Sequence, residues 1–215
     1  MYVILGDLCA GPVLYLDLLD FSHYNAHVGC MGNMKDKQAI AGELAQLLTK
    51  SFPGIAVQME HSPRWNRDCV TFQWEGFAGL LPEERFHRLT KSIPDGFREE
   101  KLAGLVWLEL APGETVEEFL RLPRSEDIAR KERTIYAGLH NADFFGVLNQ
   151  VLGAAPDKKC AGGFTETERV LSTLKLGPHG TQDAKLIFIR HHAFCDCQVL
   201  LTAQQALADA HAGAA

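Results

Sequence analysis

Two thiols stand one residue apart in the 215-residue chain, in Cys195-Asp196-Cys197, and no other short motif in it offers as clear a chemistry. Two sulfurs spaced this way come within a few ångströms of each other on many backbones, which is what a tetrahedral zinc ion needs at about 2.3 Å from each sulfur. Zinc takes four donors, and the other candidates are Cys160, His191, His192 and His179. The spacing therefore predicts a cysteine-based zinc site drawn from Cys160, Cys195, Cys197, His191 and His192. Redox chemistry competes with it. Cys197 begins a predicted helix, whose macrodipole would lower the thiol pKa and favour the nucleophilic thiolate, and a disulfide closed across one residue would be strained and easily reduced. The bland alternative is a set of small buried cysteines beside surface histidines. Asp196 is expected to cap the helix that begins at Cys197 and is not counted as a ligand.

Other chemistry is thinly represented. His23 and His27 lie four apart with Cys30 nearby, but Asn25, Gly29 and Gly32 make a helix there unfavourable, so they read as loop histidines. No serine elbow, phosphate-binding loop or dinucleotide fingerprint is present, and Gly162-Gly163 alone cradles nothing. The chemistry leans away from an enzyme. A small-molecule enzyme, with a site between two modules lined by His61, Trp65 or Trp74, remains an alternative because sites favour such junctions.

The elements that must position the thiols follow from composition and pattern. Hydrophobic residues make up 47% and charged residues 22%, which is enough to build a core and excludes a largely disordered chain. A formal charge of -6 disfavours a general electrostatic grip on nucleic acid. The basic run Arg121, Arg124, Arg130, Lys131 and Arg133 is interleaved with Glu126, Asp127 and Glu132 and reads as a solvated linker or helix face. The apolar opening is interrupted by Asp7, Pro12, Asp17 and Asp20 and has no basic residue ahead of it, so it reads as neither signal peptide nor membrane span. Six cysteines without a secretion signal are then expected to be reduced, in the cytoplasm, with a protein as partner.

The expected fold class is α+β, in three parts. Residues 1–35 supply N-terminal strands (2–5 and 13–19, the second of which also reads as a helix) and a loop that packs on the first module; residues 36–123 form a module of order helix, strand, strand, helix, strand, helix; residues 130–212 form a mostly helical module holding the thiols. In the first module a helix begins at or near Asp36, with Ile40, Leu44, Leu47, Leu48 and Phe52 on one face. Residues 55–60 and 69–77 read as a hairpin, Pro82 opens a helix, 102–110 is an apolar strand and Thr115 starts a further helix. In the second module residues 135–152 read as a helix pair, 165–176 as a helix capped by Thr165 or Thr167, and 197–210 as a helix. The stretch 184–194 is ambiguous between strand and helix.

With these residues in place, FFGVLNQVLGAAPDKKCAGGFTETERVL and HHAFCDCQVL resemble a bacterial domain family of unknown function, over roughly residues 140–205. That family shows an apolar helix, a CDHTLRLT-like stretch, a further helix and a closing GGYCDCEVL-like motif. The resemblance implies that 184–194 ends a helix, and it points to Cys160 with Cys195-Asp196-Cys197. The family's histidine after the first cysteine corresponds here to Gly162. The middle segment is similar to BolA-like domains, which have a KH-like element order; Phe77-Ala78-Gly79 and Arg85-Phe86-His87-Arg88 occupy the matching places. That second resemblance implies a regulator that partners glutaredoxins in iron-sulfur traffic, although Ala103-Gly104 stands where that family has a histidine.

Overall fold

The computed structural model describes residues 34–160, 162–174, 176 and 179–212. The expected strands at 2–5 and 13–19, and the loop with His23, His27 and Cys30, lie outside the described residues. The architecture is α+β, and the chain divides between Leu122 and Pro123 into two compact units.

In the first unit, α1 (Met34–Leu48) buries Ala41, Leu44 and Leu48 along one stripe. β1 (Ala56–Ser62) and β2 (Arg67–Gln73) form an antiparallel hairpin in which Ser62 faces Arg67. Asn66 closes the turn with φ 49°, a left-handed conformation that asparagine tolerates better than most residues. β2 stops at Gln73, short of the expected Phe77, because the chain turns into a short 3₁₀ helix at Glu75–Phe77. Trp74 then donates its indole N–H to the Pro53 carbonyl at 3.1 Å, and a side chain at Gly76 would collide with the Trp74 ring.

α2 (Pro82–Ser92) opens on a first-turn proline, and the Glu84 carboxylate accepts the Leu81 N–H at 3.0 Å. The charged run after it, to which the sequence pattern assigned no element, folds as α3 (Asp95–Lys101). The next strand begins later than the apolar run suggests, because Gly104 takes φ 76° ahead of it. β3 (Val106–Leu110) pairs parallel to β2, with Cys69 opposite Val106, and α2 and α3 form the crossover that parallel pairing requires. Among the described residues the sheet order is β1-β2-β3. Trp107 packs on Phe72 and Phe86 on one face, while Val106, Leu108 and Leu110 meet Phe119 of α4 (Val116–Leu120) on the other. Burial of each such large side chain contributes about 1.5–3 kcal/mol.

The second unit is helical among its described residues. α5 (Glu132–Asn141) and α6 (Phe144–Leu152) form the helix pair, broken at Asp143, which has φ 52°. After a 3₁₀ turn at Pro156–Lys159 come α7 (Thr165–Thr173) and α8 (Gly180–Arg190). The ambiguous stretch is thus helix through Arg190, with Phe188 stacked on Phe144 at 5.4 Å. α9 (Asp196–Gln198), a π-helical turn (Val199–Ala203) and α10 (Gln204–His211) run on in sequence. No helix among the described residues is long and apolar enough to cross a membrane.

Candidate metal centre

Two segments of the second unit bring the thiols together. Cys160 follows the 3₁₀ turn, where its N–H reaches the Asp157 carbonyl at 3.3 Å. Gly162 just beyond has φ 80°, which a residue without Cβ adopts freely. Cys195 is extended (φ -159°, ψ 163°) and Cys197 already lies in α9, so the backbone bends sharply between them. That bend swings both side chains to one side, and their sulfurs stand 3.2 Å apart.

The two segments are tied by backbone and by Asp196. The Asp196 N–H donates to the Gly163 carbonyl at 2.9 Å. Its carboxylate accepts the Glu166 N–H at 3.1 Å and the Thr167 N–H at 2.7 Å. Asp196 therefore caps α7, thirty residues away in sequence, and not the helix it begins. Neither Thr165 nor Thr167 caps α7: the residue at the cap position is Phe164, which offers no acceptor. Two orphan N–H groups of a helix start are met by a buried carboxylate, which also suits the positive end of the dipole.

The Sγ atoms of Cys160, Cys195 and Cys197 all lie within 4.8 Å of one another. A tetrahedral ion about 2.3 Å from each sulfur would hold them roughly 3.8 Å apart, so movements of less than an ångström close the site. The three side chains fit a thiophilic metal. Cys195 and Cys197 are buried and Cys160 is half-buried.

Electrostatics distinguish the three thiols. Burial disfavours the Cys160 thiolate, but hydrogen bonds from the Cys197 thiol, the Gly162 amide and the Cys195 thiol outweigh it and bring the pKa below its ordinary value. Burial pushes Cys195 up. It pushes Cys197 up to about 12, helped by its bonds to Cys195 and Cys160. The expected depression of Cys197 by a helix dipole is thus reversed: α9 is only three residues long, and desolvation dominates.

The histidines take other roles. His191 Nε2 meets Glu132 Oε1 at 3.1 Å, and the same carboxylate faces His211 Nε2 at 3.4 Å and Arg190 Nε at 2.8 Å. His192 is exposed with φ 61°, and His179 is exposed at the start of α8. Neither His191 nor His192 is among the ligand atoms brought together with the sulfurs. Local spacing gives no sign of the positioning role of Asp196, because its partner amides, on Glu166 and Thr167, lie about thirty residues earlier in the sequence. Comparison with family models, with curated proteins and with solved structures returned no match.

Proposed function

We propose that this chain is a non-enzymatic binding or regulatory protein whose C-terminal unit is organised by a zinc ion held by Cys160, Cys195 and Cys197. The observation that carries the reading is the convergence of three sulfurs, from two segments far apart in sequence, within 4.8 Å. An all-sulfur donor set favours zinc among the common divalent ions. In this reading the metal ties the segment before α7 to the start of α9, and the protein works in the cytoplasm through contacts with another protein. It accords with the resemblance of residues 140–205 to the family of unknown function, and with a BolA-like first module, both of which remain part of the proposal.

Elemental analysis of protein purified without a histidine tag tests it, wild type against the Cys195→Ser, Cys197→Ser double variant. About one zinc per chain in the first and none in the second is the expected result, with a lower melting temperature for the variant. Absence of metal from both would overturn the reading.

A second reading is favoured by the 3.2 Å approach of Cys195 Sγ to Cys197 Sγ and by the depressed Cys160 thiol. The chain would then be a thiol-redox protein. Metal-free protein that forms a reversible intramolecular disulfide under oxidant, detected by thiol counting and mass, is its signature.

A further inference from the structure

We infer that the metal bound by the three cysteines keeps a fourth coordination position open to solvent, and that this position takes the thiolate of a small thiol from outside the chain. The inference rests on the metal reading above and says what the site exchanges with.

Zinc completes four ligands, and structural sites close all four from the protein, whereas sites that act on something else keep one open. Among the described residues the cluster offers three sulfurs and no fourth cysteine, histidine, aspartate or glutamate. The polar side chains nearest in sequence are already engaged. Asp196 holds the first turn of α7, His191 holds Glu132, and Gln198 Oε1 accepts the Phe194 N–H at 2.8 Å and the Cys195 thiol at 3.4 Å. Recruiting any of them would leave a partly buried donor or acceptor unmet.

The shape of the site says where the open position points. Cys195 and Cys197 are each 9% exposed, while Cys160 is the accessible corner. Beside it, a Cβ built on Gly162 would meet nothing within 4 Å. Among the described residues nothing stands within 4 Å of that point, which gives a small ligand an approach to the ion past Cys160.

The donor set says what would bind. Three thiolates make the ion soft, and a soft fourth donor matches it better than an oxygen. A fourth thiolate adds negative charge, and the cluster already directs hydrogen-bond donors at sulfur: the amides of Gly162 and Cys197 both act on the Cys160 sulfur. Binding is a ligand substitution. The entering thiol gives its proton to solvent, a metal-bound water leaves, and no electron moves.

Cobalt(II) in place of zinc makes the coordination visible, since the sulfur-to-cobalt charge-transfer band scales with the number of thiolates. The full-length chain, loaded with one cobalt under anaerobic conditions, is titrated with 2-mercaptoethanol and, separately, with imidazole. The expected result is a saturable rise in the charge-transfer band of about one third as four sulfurs replace three, with no change from imidazole at equal concentration. A spectrum unmoved by either ligand, with cobalt bound, would mean that the chain closes its own site and would sink the inference while leaving the metal reading intact. A response to imidazole alone would refute the thiolate assignment. Failure to bind cobalt at all would remove both.

Discussion

Asp196 Oδ1 accepts the backbone N–H of Thr167 at 2.7 Å, so the residue between the two cysteines of the CxC motif holds down the helix that begins just after Cys160. With Oδ2 on the Glu166 N–H, one buried carboxylate fixes the relative placement of both thiol-bearing segments. Replacing Asp196 by Ala should lower stability by about 2–3 kcal/mol, because a charged acceptor is lost and two amides are left unmet. Urea unfolding of the metal-free protein checks this. A loss seen only in the metal-loaded form would show that Asp196 acts through the metal and not through α7.

Metal binding should depend steeply on pH. Burial holds Cys195 and Cys197 protonated at neutral pH in the metal-free protein, the latter with a pKa of about 12. Loading then expels at least two protons per chain, and log K rises by about 2 per pH unit near neutrality. Proton release in weakly buffered solution with a pH indicator measures it directly; release of fewer than one proton would contradict the thiol assignments. The linkage has a second consequence. Groups whose folded pKa lies above the unfolded value stabilise the fold below the unfolded value of about 8.5, and that contribution fades as pH rises through the folded values. The metal-free protein should therefore weaken in alkali.

His191 and His192 should be dispensable for the metal. A double His191→Ala, His192→Ala variant is expected to keep the wild-type metal content while loosening the contacts of Glu132, which also faces Arg190 and His211. Faster amide exchange near His211, with unchanged metal, is the predicted pattern. Loss of metal would place one of the histidines in the coordination sphere.

Arg85 is a buried cation of the first unit. At 2% exposure its guanidinium spans Glu114 in two bonds (2.5 and 3.2 Å), the Glu109 carbonyl at 2.6 Å and the Leu80 carbonyl at 3.0 Å. Lysine carries the charge but not the planar fork, so Arg85→Lys should destabilise by about 3 kcal/mol. Thermal or denaturant unfolding reads it, and a change below about 0.5 kcal/mol would show that the network is not holding the fold.

Much of this protein is written locally. The α1 stripe, the hairpin, the proline-led α2 and the Thr115 cap are each decided by neighbours a few residues apart; the Thr115 hydroxyl accepts the Glu118 N–H at 3.2 Å as its spacing predicts. The Cys-x-Cys spacing likewise predetermined that two sulfurs could meet. What the sequence could not show is anything that depends on which distant segments come together. Residue identity says that Asp196 can cap a helix, but only the fold decides that the helix is α7. It says that histidines and cysteines can ligate, but packing assigns His191 to Glu132 and Cys160 to the sulfur cluster. The thiol pKa order was beyond reach for the same reason. Dipole position can be guessed from a helix start, whereas desolvation depends on every atom that covers the sulfur, and here burial is the larger effect.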